Sequence, residues 1–522
     1  MRAVAVLLAL LAAACGPAPA PSPLPSPAAT AAAATPKSSP VTVTLLYTTD
    51  EHGWLEPSEL HGKTRGGVAE LLGRLVADEG HCPGPIPEGV DPKDALAPDG
   101  CARPRTLLLS NGDNFTGPAI STYFRGESMA RAMARLGYAA SAFGNHEFDF
   151  GRDQFQKLRD LSGVQYLAAN LRIADPNLEK ALRVAPFTIV NRLGIRIAVV
   201  GLAPADTLHS AMASRFEGIT IEPTEPALGR AVDAAWTEGA DTVVVAAHEC
   251  PDVLAPIVAR HPEWKLAFVG GGHCHKTMSE RAGDVPVLAP TWRMHQYARV
   301  RLTVDPVLPP KNRVVSVEPS LVDVEPSPSA APDPPLTRMV RHFKEEVARA
   351  LGVAIGHAGR DIAPEENVGQ MVADAWLSQM GGDVAIVNRG GIRQTIPAGT
   401  ITHGTIWGVL PFDNRIVKVS LRGDDLVKDL EAMPKIIVAG AKKGAGGKWA
   451  LASGKPIDGD HRYTVLVTDF MYAGGDGAPF AAQDPKPVET EVNWRDPVIA
   501  WIAKQQSTPL APLEKKLAPR AR

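Results

Sequence analysis

Five times in its first 280 or so residues the chain closes a short apolar run with a cluster of aspartate, asparagine or histidine. Val43 to Thr49 leads into Asp50-Glu51-His52, Leu107 to Ser110 into Asn111-Gly112-Asp113-Asn114, and Ala142-Phe143 into Gly144-Asn145-His146-Glu147-Phe148-Asp149. Thr242 to Ala247 ends at His248, and Leu266 to Gly270 at Gly271-Gly272-His273-Cys274-His275. Such runs read as strands: Val41 to Thr48, Thr106 to Ser110, Ile195 to Leu202, Asp241 to Ala247 and Leu266 to Gly270. Between them Val68 to Val76, Ser128 to Leu136, Ala227 to Trp236 and Val253 to Ala259 carry apolar residues three and four apart, as amphipathic helices do. An alternation of strands and helices specifies an α/β sheet, which gathers functional groups at the carboxyl ends of its strands. The five polar clusters are therefore expected to meet.

What would meet there is a set of hard donors: carboxylates, a carboxamide and imidazoles. Asp50, His52, Asp113, Asn145, His248, His273 and His275 are too many for one four- or five-coordinate ion and enough for two that share Asp113. Two divalent ions (Zn, Mn, Fe or similar) roughly 3.5–4 Å apart are a standard device for activating water against a phosphoester. His146 and Asp149 are three residues apart, so that a turn lets the carboxylate orient the imidazole. Glu51 and Glu147 fit an orienting role toward their neighbours. The other nine histidines (His61, His81, His209, His261, His295, His342, His357, His403 and His461) have no such context and read as surface or capping residues.

These blocks, in this order, resemble the 5′-nucleotidase family of the calcineurin-like metallophosphoesterase superfamily, of the bacterial exported bifunctional type. Thr49 to Gly53 is similar to the family's T-N-D-x-H-G, and Gly144 to Asp149 reproduces its G-N-H-E-F-D. The resemblance implies a four-layer αββα metallophosphoesterase domain at the N-terminus and an α+β substrate-binding domain at the C-terminus. It gives Asp50, His52, Asp113 and His275 to one metal and Asp113, Asn145, His248 and His273 to the other. It makes His146 and Asp149 catalytic, stabilising the transition state and assisting the leaving group, and turns Asn114 toward the phosphate.

The later sequence is similar to the same family in four blocks. Glu366-Asn367-Val368-Gly369 resembles a helix-opening segment, Asn388-Arg389-Gly390-Gly391-Ile392-Arg393 a glycine-rich turn, Leu410-Pro411-Phe412 a base-stacking loop, and Gly474-Gly475-Asp476-Gly477 the final block. The substrate-binding residues implied are Asn367, Asn388, Arg393, Phe412 and Phe480. Two departures bear on specificity. Ala478 and Pro479 intervene before Phe480, displacing half of an aromatic clamp, and Pro364 stands where some relatives place a phosphate-binding arginine.

Length and composition frame the rest. At 522 residues the chain has room for two or three domains. Met1-Arg2 and the apolar Ala3 to Ala14 have the layout of an export signal and are too short to span a bilayer. Leu11-Ala12-Ala13-Ala14-Cys15 resembles a lipobox, with leucine one place further from the cysteine than usual; lipidation of Cys15 is favoured over ordinary signal-peptidase cleavage by the tether that follows. That tether, residues 16–40, holds eight prolines. A second break, Pro326 to Pro335, holds five and divides a dimetal domain at 41–325 from a substrate domain at 352–510, with a connecting helix from Leu336 to Leu351 and a tail at 511–522. Of five cysteines, Cys82 and Cys101 bracket an insertion they can staple, while Cys250 and Cys274 are either neighbours or buried thiols.

Lys plus Arg number 54 against 57 acidic residues, a net charge of −3, which excludes the basic footprint of a nucleic-acid binder. The reading is an exported, periplasmic or envelope-anchored phosphoester hydrolase with two divalent metal ions. Nucleotides are the expected substrates, as for a 5′-nucleotidase, UDP-sugar hydrolase or cyclic-nucleotide phosphodiesterase; there is no obligate protein partner, and membrane contact runs through the lipid anchor alone. The alternatives are a thiosulfohydrolase of the superfamily's sulfur-oxidation branch and a non-catalytic metal or nucleoside binding protein.

Overall fold

Period-two alternation sets the layers. The computed structural model describes residues 39–433, 435–444 and 446–517, with only the backbone at 365 and 366. The signal, Cys15 and most of the tether lie outside the described residues. In the strand Val41–Thr48, Val43, Leu45 and Tyr47 face one way and Leu46 the other. The first set packs against a second sheet, whereas Leu46 packs against helices. Leu107 and Leu109 against Leu108 repeat the division, as do Ile197 and Val199 against Ala198 and Val200 in the second sheet.

Each sheet has six strands. The first runs in the order Val314–Asp323, Gln296–Val304, Val41–Thr48, Thr106–Ser110, Tyr138–Ala142, Gln165–Leu167. The second runs Met278–Ala282, Val285–Ala289, Leu266–Gly270, Thr242–Ala247, Ile195–Leu202, Phe187–Arg192. Helices Val68–Glu79, Glu127–Leu136 and Arg152–Ser162 cover the first sheet, and Thr224–Thr237 and Pro251–Ala259 the second, completing four αββα layers. The strands that precede the polar clusters are parallel to one another within each sheet, so their carboxyl ends share an edge.

Helix ends moved beyond the apolar pattern. Val68–Glu79 outlasts its periodic stretch because Gly80, at φ 61°, supplies the left-handed cap. Glu79, buried at that end, accepts from the Tyr297 hydroxyl at 2.9 Å and pairs with Arg299 at 3.0 Å.

The second lobe holds a five-stranded sheet in the order Ile436–Ala439, Val384–Asn388, Arg462–Thr468, Arg415–Arg422, Val488–Asn493. Gly369–Met380 and Arg495–Gln505 cover one face around Trp376 and Trp494, and Gly423–Ala432 covers the other. The proline-rich break marks a loop rather than the change of core. The helix after it, Pro334–Leu351, buries Leu336 and Met339 in the first lobe, and its cap Asp333 pairs with the buried Arg135 at 2.8 Å. The second core starts at Ile355.

Both cysteine pairs are joined: Cys82 with Cys101, Cα atoms 5.5 Å apart, and Cys250 with Cys274, 5.6 Å apart. Two histidines expected at the surface are instead buried. His81 bridges the Thr106 hydroxyl and the Leu136 carbonyl, His295 meets the Ser58 hydroxyl at 2.6 Å, and burial holds both down to about 4. Each found a hydrogen-bond partner far away in the chain, which no local context reveals. No helix among the described residues is long and apolar enough to cross a membrane.

Candidate metal centre

The shared strand edge brings the polar clusters together. Asp50, His52 and His275 form one group of donors and Asp113, His248 and His273 another, the donor atoms within each group lying within 4.8 Å of one another. Asp113 Oδ2 stands between the groups, 3.7 Å from His52 Nε2 and 3.0 Å from His248 Nε2. His275 Nε2 is 3.2 Å from Asp50 Oδ1 and 3.0 Å from His52 Nε2.

Local structure aims these side chains. His52 Nδ1 meets the Thr116 carbonyl at 3.0 Å, and His248 Nδ1 the Asn111 carbonyl at 2.7 Å. A carbonyl only accepts, so in each ring Nδ1 carries the hydrogen and Nε2 presents a bare lone pair to the site. Asp50, His52, Asp113, His273 and His275 all have φ between 44° and 70°. Left-handed backbone costs a non-glycine residue on the order of 1–3 kcal/mol, and five such positions clustered here mark a site whose surroundings impose its geometry. Gly144 makes room as well, since a Cβ there would fall 2.1 Å from Asp113 Oδ1.

Asp50 Oδ1, Asn145 Oδ1 and His248 Nε2 are buried without a hydrogen-bond partner among the described residues. Orphaned donors and acceptors at such depth are costly, and these are oxygen and imidazole atoms turned into a shared space, which fits divalent cations. Burial pushes the Asp50 and Asp113 carboxyls up, but the surrounding histidines, His248 first for both, outweigh it and hold them below the usual carboxylate range. Beneath them Glu147 receives the Asp113 amide at 2.7 Å, and Glu51 takes hydrogen bonds from Ser110 and Asn114 at 2.9 and 2.7 Å. Burial raises the Glu51 carboxyl to about 7 against the hydrogen bonds of Thr48, Asn114 and Ser110.

His146 lies at the rim with Nδ1 2.9 Å from Asp149 Oδ2, and its amide donates to Asp113 Oδ1 at 2.9 Å. Burial works against its cation, but the Asp149 and Asp113 charges outweigh this and raise its pKa. The Phe412 ring of the second lobe stacks beside it, centroids 5.2 Å apart and planes 25° off parallel. Arg393 reaches across from the same lobe, Nη2 3.1 Å from His52 Nε2. Between the lobes lies a cleft of 340 Å³, whose wall includes Asp113, His146, Asn388, Arg393, Phe412 and Asp476.

Residues 348–483 match the family profile of the 5′-nucleotidase C-terminal domain. A 5′-nucleotidase of Vibrio cholerae is 26% identical over 86% of this chain and 88% of its own length. In three dimensions a 5′-nucleotidase precursor of Thermus thermophilus superposes with a TM-score of 0.74 at 23% identity, covering 92% of this chain and all of that one. Residues 348–483 thus form a 5′-nucleotidase C-terminal domain, and the whole chain is similar to 5′-nucleotidases in sequence and in fold. The fold by itself is wider than that chemistry. A sulfate thiohydrolase of T. thermophilus superposes at TM-score 0.67 and 17% identity over 89% of this chain and 94% of its own.

Within this 5′-nucleotidase fold the expected residues divide. The seven donor residues, His146 and Asp149 gather at one end of the cleft, with Asn388, Arg393 and Phe412 on its other wall. Asn114 does not reach the cleft. It is fully buried, its Nδ2 donating to Glu51 and Ser110 and its Oδ1 accepting from Tyr166 at 2.7 Å, so its hydrogen-bonding capacity is used beneath the centre. Phe480 is fully buried in the second lobe's core. Asn367, in the turn Pro364–Val368, is not among the residues that line the cleft.

Phe470 stands where Phe480 was expected, facing the cleft from the short helix Asp469–Tyr472. Its ring lies over Gly475, where any Cβ would come within 2.4 Å of it. That glycine was the available signal, because an aromatic five residues before a bare backbone has a surface to lie on. Lys435, Asp206 and Arg215 also line the cleft with no sequence cue. Arg495, buried, was missed too. It donates to the carbonyls of Leu410, Pro411 and Phe412 at 2.6–2.8 Å and so holds the loop that carries the stacking ring.

Proposed function

We propose that this chain is an exported phosphoester hydrolase that works with two divalent metal ions and acts on nucleotides. The observation that carries it is the placement of Phe412 over His146, which sets a flat stacking surface beside a cluster of metal-type donors. Asp50, His52, Asp113 and His275 would hold one ion and Asp113, Asn145, His248 and His273 the other. Such ions lower the pKa of water and draw charge from phosphoryl oxygens.

The chain's own groups do the rest. Asp149 keeps a proton on His146 Nδ1 and favours the imidazolium, so that Nε2–H can donate to the oxygen on which charge builds as the ester bond breaks. Arg393 offers a guanidinium fork suited to phosphate oxygens. Phe412, with Phe470 on the same cleft, accepts a base by stacking, which tolerates different bases. Asn388 and Asp476 supply polar contacts beyond the ring. Two disulfides accord with export to an oxidising compartment. The thiosulfohydrolase reading shares the fold, but a stacking ring beside the reacting centre favours an aromatic substrate.

The test is phosphate release from 5′-AMP, UDP-glucose and a cyclic nucleotide, with a thiosulfonate for comparison, by chelated protein reloaded with Mn, Zn or Co. Metal-dependent turnover of a nucleotide is expected. Sulfate release from the thiosulfonate with no nucleotide cleaved would reject the reading.

A further inference from the structure

Arg393 lines two cavities. Besides the catalytic cleft it borders a second space of 610 Å³ between the lobes, lined by Trp54, Trp292 and Arg293 from the first lobe and by Arg389 and Gln394 from the second. Arg293 is fixed there. Its guanidinium is sandwiched 3.6 Å from the Trp292 ring and 4.1 Å from the Trp54 ring, and Nη2 donates to the Arg393 carbonyl at 3.1 Å. Trp292 in turn stacks on His275, centroids 4.5 Å apart, so the cavity backs onto the metal centre.

The hydrogen-bond donors around this space are not all used. Among the described residues no carboxylate forms an ion pair with Arg293, Arg389 or Arg393, and Arg293 Nε and Gln394 Nε2 are buried without any hydrogen-bond partner. Two carboxylates do line the cavity, but each has its own donor: Glu59 takes the Thr64 hydroxyl and Asp361 the Ala398 amide at 2.8 Å. Tryptophan faces offset part of the cost of a desolvated guanidinium but give its N–H groups nothing to bond. Arg293 and Gln394 keep unused buried donors beside a roomy space that Arg389 also borders, while the Arg393 guanidinium faces the Asp113, Asp149 and Asp50 charges from its edge.

We propose that this cavity binds a phosphate group held by the guanidiniums of Arg293, Arg389 and Arg393. Guanidinium forks match oxyanions that offer several oxygens at once. The choice of phosphate among oxyanions rests on the function proposed above, in which the adjoining cleft handles phosphoesters; the existence of an anion site does not. Because Arg393 is common to both cavities, an anion here bears on the reacting centre. Its source is either free phosphate or the distal phosphate of a nucleotide whose other end occupies the cleft.

Calorimetric titration with inorganic phosphate tests this on the full chain, both metal-loaded and chelated. Phosphate uptake should persist after chelation and weaken about tenfold in Arg389→Ala, as expected for losing one charged hydrogen-bonding partner. Arg389 is exposed and its side chain bonds to nothing among the described residues, so the variant should fold normally. Arg293→Gln should weaken uptake likewise. Equal affinity in wild type and both variants, or no uptake by the chelated wild type, overturns the proposal. A rise in KM for ADP but not AMP in Arg389→Ala assigns the site to a distal phosphate; relief of phosphate inhibition with the ADP to AMP ratio unchanged assigns it to the free ion. Phosphate bound in an Arg389-dependent way by a protein that cleaves no nucleotide would reject the proposed function and leave this site standing.

Discussion

The two walls of the cleft are built on opposite plans. On the first lobe, short side chains leave the ends of parallel strands, their backbones held in left-handed turns and two of their rings anchored through Nδ1 to carbonyls. On the second, long side chains stand on loops whose position depends on packing elsewhere: Phe412 on the carbonyls gripped by Arg495, Phe470 on the bare face of Gly475. A cation centre tolerates little displacement of its donors, whereas a stacking surface tolerates a good deal. Under the function proposed above, the first wall is where the chemistry demands fixed positions and the second is where a substrate would be selected.

If that contrast holds, damage to the first wall should abolish turnover and damage to the second should shift affinity. Asp113→Ala should show the largest effect. It removes the group that stands between both donor sets, so metal content by elemental analysis should fall below two per chain and turnover drop about a thousandfold or more. Circular dichroism should remain that of a folded protein. His146→Ala should lower kcat by about 10²–10⁴ with metal content unchanged, separating proton donation from ion binding.

Phe412→Ala should raise KM for 5′-AMP by about 5- to 100-fold while leaving hydrolysis of a substrate without a ring, such as glycerol phosphate, close to wild type. Phe480→Leu serves as the counterpart from the same lobe. Buried in the core, it should lower stability by about 1 kcal/mol in denaturant titrations and leave KM alone. A KM shift in Phe480→Leu without one in Phe412→Ala would reverse the assignment of the two rings.

A last effect, confined to part of the pH range, is again on stability alone. Burial raises the Asp429 carboxyl to about 6, against a hydrogen bond from Gln483. A carboxyl raised in the folded state keeps its proton more firmly there than in the unfolded chain, so stability is lost as pH climbs from about 4 through 6. Asp429→Asn should therefore raise the Tm at pH 7.5, by an amount equivalent to about 2 kcal/mol or less, and change nothing at pH 3.5. Equal gains at both pH values would refute the ionic origin.

Legibility follows the same division. Asp50, His52, Asp113, His248, His273 and His275 could be placed together from the sequence because a strand's end and a parallel sheet's edge are local and periodic facts. Asn114 could not be placed, although it is next to Asp113. One residue further on, the turn sends its amide under the centre to Glu51 and Tyr166. His81 and His295 were misjudged for a related reason: the groups that satisfy them, at Leu136 and Ser58, lie far off in the chain. Phe480 was named and Phe470 overlooked because both flank the glycine block, and which of them lies over Gly475 depends on how the short helix Asp469–Tyr472 is seated.

From its sequence alone the chain settles the strands and helices of its first lobe and the set of donors that the strand ends present, since hydrophobic period and residue chemistry act over a few positions. Tertiary structure decided which ring meets His146, which arginines border the second cavity, and where the first core gives way to the second. Those outcomes depend on side chains from separate segments competing for one space, and that competition is resolved only when the lobes have packed.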